Sequence, residues 1–375
     1  MKPRVLFVSR ERFRLPLEGA QARKWGAIAD VFDYRVLAAA QPGTRGDDRF
    51  RLAVPAPVLD GPLYYLRLPL RIARELRAFR PDAAIVQGVH ELTAFLAGRR
   101  LAGVPTKAIL DVQGDWHVTT RLYGSPARRL LSPLNDALAP FAVRRADAVK
   151  TVSTQTSFLV RGLGVEPAAT FPAYLDAEAF LERPLAPLPE RPRAVFVGAL
   201  ERIKAFDALV AAWRLAAPQV PGATLHIVGD GTLRAEAERL VAELPAQTEW
   251  ASRLEPEEVA AAMDASWLVC LPSRSEGLPR VALEGACRGR AIVGGNRSGI
   301  PDVVRDGENG LLVDPDDPGA LAEALVELLS DRGYTERLGA AARLTGEAWG
   351  VTPEAYGERL ASLVRDLLSE YPGRG

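Results

Sequence analysis

In 375 residues the sequence has only two cysteines and three histidines. So few cysteines exclude a disulfide-stapled scaffold, and Cys270 and Cys287 sit in apolar surroundings that mark them as packing residues. So few histidines argue against a His-rich metal centre, and no metal ligand set is expected. No apolar run approaches the ~20 residues of a membrane span. The run Val5–Val8 is too short for a signal peptide, so the expected location is the cytoplasm. No repeat of 20–50 residues and no low-complexity block occurs, which excludes a solenoid.

Net charge is also missing: 47 basic side chains face 47 acidic ones. The balance hides an asymmetry, because residues 1–180 carry nine more basic than acidic side chains and the remainder nine fewer. A basic half suits phosphates, nucleic acid or an anionic membrane surface. Hydrophobic content of 48% is that of a globular protein, long enough for about two domains.

What is present is alternation. Short β-branched or apolar runs at Val5–Ser9, Tyr34–Leu37, Ala83–Gln87, Thr106–Asp111 and Ala148–Val152 are separated by helical patterns. The prolines at 184, 187, 189 and 192 then predict an extended spacer over 181–192. Alternation restarts with strands Ala194–Val197, Thr224–Val228, Thr248–Trp250, Trp267–Leu271, Ala291–Val293 and Gly310–Val313. Helices are expected between them, one starting at Pro279, and others near 318–330, 332–346 and 353–370. Repeated βα units of this kind imply an α/β chain with parallel sheets. The expected organisation is a domain over 1–180, the spacer 181–192, a domain over 193–350, and a last helix over 351–375 crossing back to the first domain. Two doubly wound domains would bind ligand at the carboxyl ends of their strands, in a cleft.

The chemistry concentrates in "SRSEGLPRVALEGAC", residues 273–287. Pro279 suits the first position of a helix, whose free amides and partial positive charge favour an anion. Gly277 lets backbone approach a ligand. Glu276 lies on the loop before the helix and Glu284 more than a turn into it, so the two could accept hydrogen bonds from hydroxyls on one ligand. In isolation, two glutamates at this spacing read first as solvated helix charges, because such a spacing arises by chance; the surrounding series of motifs reverses that preference. Earlier, Gly198-Ala-Leu-Glu-Arg-Ile-Lys204 places Arg202 and Lys204 after a strand, where they could neutralise a diphosphate. Val228-Gly-Asp-Gly231 makes a tight strand-to-helix turn. As a dinucleotide fingerprint it fails at the third glycine, which would fall on Arg234, so a nicotinamide-dependent dehydrogenase is a poor fit.

The ordered series "FVGAL…K", "HIVGDG", "LPSRSEGLPRVALEGACRGRAIV" and "GIPDVVRDGENGLLVDPDD" resembles the retaining GT-B glycosyltransferases called group 1, or family four. The resemblance covers roughly residues 195–330 strongly and the first half in register. It implies two Rossmann-like domains and metal-independent transfer of a sugar, with retention, from a UDP- or GDP-linked donor to a hydroxyl of a glycan, lipid or small molecule. Carried over, Glu276 would contact the donor sugar, beside the amides of Gly277 and Leu278. Glu284 would bind the nucleotide ribose and Lys204 the phosphates, with Gly198 in the donor loop. The family's second phosphate cation would fall at Ala199, a departure for which Arg202 is the expected compensation. Gly19, in Glu18-Gly-Ala20, matches the glycine loop that approaches the diphosphate. Gln113 stands where many members have histidine, with His117 nearby as a substitute. The loop at Ser252 and Arg253 is expected at the base. These departures leave open a non-catalytic nucleotide-sugar-binding protein.

One stretch is not absorbed by this scheme. From Tyr64 to Arg80, Arg67, Arg71 and Arg74 recur at helical spacing, with Leu70, Ala73, Leu76 and Phe79 set off from them. The pattern predicts a basic amphipathic helix that either packs on its sheet or contacts anionic lipid at the inner face of the membrane. No nucleic-acid partner is expected.

Overall fold

A computed structural model describes residues 2–55, 60–118 and 132–369. The chain divides into two compact units. The first comprises Met1–Trp116, Pro133–Tyr174 and Val351–Gly375, and the second His117–Ser132 and Leu175–Gly350.

In the first unit, seven strands form one sheet: β1 Arg4–Phe13, β2 Asp33–Ala40, β3 Phe50–Ala53, β4 Ala83–Gln87, β5 Lys107–Val112, β6 Ala148–Thr151 and β7 Ala169–Thr170. Their order is β3-β2-β1-β4-β5-β6-β7, parallel throughout. Alternate residues of β1 feed opposite faces. Leu6 and Val8 join one buried cluster with Leu68, Ile72 and Phe95, while Val5 and Phe7 join another with Trp25, Ile28 and Val364. Burial on both faces is why the central strands read as continuous apolar runs. The helix Pro353–Ser369 belongs to this unit, packing Tyr356, Leu360 and Leu367 into the second of these clusters.

In the second unit, β8 Arg193–Val197, β9 Thr224–Val228, β10 Thr248–Ala251, β11 Leu268–Leu271, β12 Ala291–Gly295 and β13 Gly310–Val313 form a parallel sheet ordered β10-β9-β8-β11-β12-β13. Leu268 and Cys270 face one apolar layer, Val269 and Leu271 the other side. Both cysteines are free and buried.

Four expectations need correction. Strands β3 and β7 were not expected; each is a short edge strand whose residues are half-buried or exposed, apart from Phe50. Residues 181–192 do not act as a spacer but are fixed to the second unit. Arg288 donates to the carbonyls of Phe180 at 2.7 Å, Arg183 at 2.7 Å and Pro184 at 2.6 Å. Arg290 reaches Ala186 O at 2.7 Å, Arg332 Leu188 O at 2.8 Å and the Trp267 indole Pro189 O at 2.8 Å. Carbonyls of an irregular segment need donors, and these side chains supply them. The helix expected from Pro279 spans Arg280–Cys287, with Pro279 as its cap residue. In the helix Asp60–Phe79, Ala73, Leu76 and Phe79 are buried as expected, but Leu70 is 67% exposed among the arginines. No helix among the described residues is long and apolar enough to cross a membrane.

Candidate active site

The strand order of the second unit reverses between β8 and β11, and in a parallel sheet the carboxyl ends at such a switch point open a crevice for ligand. The loops leaving these two strands carry the residues singled out from the sequence.

The β8 loop begins at Gly198, whose amide donates to Val228 O at 2.9 Å, and Leu200 N donates to Asp230 O at 3.0 Å. This close approach explains the Gly-Asp-Gly turn after β9. Gly229 has φ +149°, and a Cβ there would overlap the Gly198 carbonyl; a Cβ on Gly231 would lie 2.6 Å from Leu200 O. The two glycines therefore pack the β9 turn against the β8 loop, a role that needs no bound dinucleotide. Buried Glu201 then accepts from Thr232 N at 3.1 Å and Thr232 Oγ1 at 2.6 Å. A single 3₁₀ turn, Arg202–Lys204, follows and ends at Ala205 in the left-handed region with φ +50°.

From β11 comes buried Ser273, then Arg274, which fastens the two loops together. Its amide donates to Ile203 O at 2.9 Å. Its guanidinium reaches Arg202 O at 2.5 Å, Asp207 Oδ1 at 2.6 Å and Asp316 Oδ1 at 2.6 Å. In this frame Lys204 Nζ donates to Glu276 Oε1 at 2.6 Å, and the Ser273 hydroxyl donates to the same oxygen at 2.8 Å. The lysine side chain is 25% exposed and the carboxylate 10%, so the pair is shielded yet reachable. Gly299 N donates to Glu276 O at 3.0 Å, and a Cβ on Gly299 would overlap the Gly277 carbonyl, so the loop at Gly277–Leu278 is held from beneath.

Helix Arg280–Cys287 sits tightly on β11, since a Cβ on Gly285 would lie 2.6 Å from Val269 Cγ2. Glu284 lies one turn into it. Burial pushes its carboxyl up to about 7, partly offset by Arg280. No donor reaches its side chain among the described residues. A half-buried carboxyl without donors is a site prepared for hydroxyls or amides.

Other expected residues are less engaged. Arg202 is exposed, and its guanidinium lies 3.8 Å from Asp207. Ser252 and Arg253 are exposed on the loop after β10, with Arg253 3.5 Å from Glu255. In the first unit, Gly19 opens the helix Gly19–Val31 at φ +52°, with open space where a Cβ would stand. Gln113 is exposed after β5 and donates to Asp111 Oδ2 at 2.6 Å. Asp111 also accepts from Lys150 at 2.9 Å, both of them buried. His117 is half-buried in residues 116–118, which are helical.

Sequence reasoning passed over Ser273 and Arg274, although both stand inside the quoted motif. Arg274 meets Asp207 and Asp316, which lie 67 and 42 positions away in the chain, and spacing carries no trace of such contacts.

Two family models match the chain: "Glycosyl transferases group 1" over residues 179–345 and "Glycosyl transferase 4-like domain" over residues 20–174. A GDP-mannose-dependent alpha-(1-6)-phosphatidylinositol monomannoside mannosyltransferase of Mycobacterium tuberculosis is 30% identical over 362 residues, 91% of this chain and 86% of that protein. A D-inositol 3-phosphate glycosyltransferase of Nocardia farcinica is 30% identical over 226 residues, 56% of this chain. That match spans only 49% of the Nocardia protein, about half its length. In fold, the chain is similar to sucrose-phosphate synthase from Thermosynechococcus elongatus, with a TM-score of 0.76 at 19% identity over 98% of this chain and 100% of that one.

Proposed function

The chain belongs to the group 1 glycosyltransferases, and from that premise we propose that it transfers a sugar, with retention of anomeric configuration, from a nucleoside-diphosphate donor to a hydroxyl acceptor in glycan or glycolipid assembly. The observation that carries the reading is the Lys204–Glu276 pair at 2.6 Å, formed by the loops after β8 and β11 where the strand order reverses.

The leaving diphosphate is a weak base that needs charge stabilisation more than a proton. Lys204 supplies a cation to it, with Arg202 beside it on the same 3₁₀ turn and the amides at Gly277 and Leu278 ahead of the helix. Glu276 accepts hydrogen bonds from the sugar hydroxyls; it binds and orients, and is not a general acid. Glu284 takes the ribose hydroxyls, for which its donorless carboxyl is suited. Gly198 lends backbone to the donor loop, and Gly19, with its positive φ, has the same diphosphate role. Ser252 and Arg253 meet the base, and Gln113 and His117 the sugar or acceptor. The positive charge at the diphosphate comes from these groups without a metal. The base is uracil or guanine; the mannosyltransferase relative is named for a GDP donor.

Two relatives are named for inositol phosphate or phosphatidylinositol mannoside, which supports a hydroxyl acceptor of that broad kind, lipid-linked or soluble. For a lipid-linked acceptor, the exposed Leu66, Leu70, Arg67 and Arg74 of helix Asp60–Phe79 provide a peripheral contact with anionic membrane. A second reading, a binding protein without turnover, is favoured by Ala199 and by Gln113 being tied to Asp111.

Thermal shifts with a panel of UDP- and GDP-sugars, followed by transfer assays on the donor that stabilises, test the proposal. Stabilisation with turnover and a retained anomer supports it. Stabilisation without turnover selects the binding protein, an inverted anomer removes the retaining scheme, and no shift with any donor refutes the site.

A further inference from the structure

At the edge of the first unit's sheet, β2, β3 and helix Asp60–Phe79 enclose a pocket of about 460 Å³ that the proposed transfer does not use. Four arginines line it: Arg35 from β2, Arg51 from β3, and Arg71 and Arg74 from the helix. Two carboxylates share the lining, Glu75 and Asp47, and a third, the fully exposed Asp48, lies 3.4 Å from Arg51 Nη2, so among the described residues the arginines are still in excess. Glu75 is buried and takes Arg35 Nη1 at 2.9 Å, with Arg51 Nε at 3.8 Å. Asp47 is occupied by the turn before β3, accepting from Arg49 N at 2.9 Å and Phe50 N at 2.7 Å.

The donors are likewise in excess. Arg71 Nη2 donates to Arg51 O at 2.7 Å, but the Arg71 Nη1 and Arg51 Nε atoms, both buried, have no hydrogen-bond partner among the described residues. Unmade hydrogen bonds on buried donor atoms are costly, and native structures leave few of them. The missing partner is an oxyanion with several oxygens, which guanidinium groups bind better than any neutral group.

What adjoins the pocket narrows the class. Leu70 and Leu101, 67% and 52% exposed, line a neighbouring depression with Arg74, Arg77 and Ala78, and Arg74 and Ala78 belong to both hollows. Leu66, 75% exposed, lies one turn before Leu70 on the same face of the helix. An oxyanion pocket continuous with an apolar shelf matches a phosphate joined to a hydrocarbon. We propose that the arginine pocket binds the phosphate of an anionic lipid headgroup, with Leu66, Leu70 and Leu101 against the acyl region. The lipid source rests on the membrane contact proposed above; the oxyanion chemistry does not.

The test uses the full-length protein, phosphatidylglycerol vesicles, neutral phosphatidylcholine vesicles and inorganic phosphate. The wild type should bind the anionic vesicles in a salt-sensitive manner and ignore the neutral ones, and inorganic phosphate should raise its melting temperature. Arg51→Gln with Arg74→Gln should weaken vesicle binding about fivefold per arginine and abolish the phosphate shift. Leu70→Ser should weaken vesicle binding and leave the phosphate shift intact. Arg74→Gln alone, at an exposed position, replaces the pair should the double variant fail to fold. Vesicle binding unchanged in the arginine variants overturns the pocket while the membrane contact stands. A phosphate shift lost in the variants, with no vesicle binding by wild type, overturns the lipid source and leaves a soluble phosphate as ligand. No response to phosphate or vesicles overturns the proposal entirely.

Discussion

Glu284→Gln tests the ribose assignment and the electrostatics of the site together. Burial raises the Glu284 carboxyl from 4.5 to about 7, so the folded chain holds this proton where the unfolded chain has lost it. Stability from this group is therefore greatest below pH ~4.5, falls as pH rises toward 7 and levels off above. At ~1.4 kcal/mol per pKa unit, holding Glu284 ionised at pH 8 costs the donor-free protein about 3 kcal/mol. Glutamine keeps the shape and removes the charge. Urea denaturation followed by the fluorescence of Trp213, buried in the second unit's core, should show the variant matching wild type near pH 4.5 and exceeding it by up to about 3 kcal/mol at pH 8. Donor affinity should move the opposite way. Hydroxyl donors favour the ionised carboxyl, so wild-type affinity for the nucleotide sugar should climb up to about tenfold per pH unit below 7 and flatten above. In the variant it should be weaker at pH 8 and level across this range. Identical pH profiles for the two proteins would refute the reasoning.

Three further substitutions probe the frame. Glu276→Ala should reduce transfer by a hundredfold or more while circular dichroism and the melting curve stay near wild type; retained turnover would remove Glu276 from the site. Arg274→Ala removes the cation that Asp207 and Asp316 share and releases the 3₁₀ turn that carries Lys204; since Arg297 still reaches Asp316 at 2.6 Å, it should cost about 1–3 kcal/mol in denaturation and lower donor affinity as well. Gly229→Ala cannot be accommodated against Gly198 at φ +149°, and should yield little soluble protein or a loss of several kcal/mol; a well-folded alanine variant would contradict the packing role.

The positions of the candidate loops were legible wherever a buried strand ends in a short loop. Val195–Val197 and Val269–Leu271 announce themselves as apolar runs, and Lys204 and Glu276 lie in the polar loops that follow β8 and β11 at their carboxyl ends. The meeting of these two residues was not legible, because it depends on Arg274 binding carboxylates far along the chain. Edge strands escaped for a different reason. Phe50–Ala53 presents one buried residue and an arginine, and its pairing with β2 rather than its own composition makes it a strand. The proline-rich stretch misled because prolines exclude helix without saying what receives their carbonyls. Arg288 and Arg290, buried and a hundred residues later, do so. The helical spacing of Arg67, Arg71 and Arg74 announced a basic face, but only the fold brought Arg35 and Arg51 alongside to close a pocket.

The central claim is that Lys204 and Glu276 together hold the donor at the β8–β11 switch point. The most direct measurement is calorimetric titration of the stabilising nucleotide sugar into wild type, Lys204→Met, Glu276→Gln and the double variant. Each single substitution should weaken binding by about ten- to a hundredfold. The double variant should lose clearly less than the product of the two, because both residues contact one ligand and each other. Donor affinity unchanged in both single variants would contradict the account.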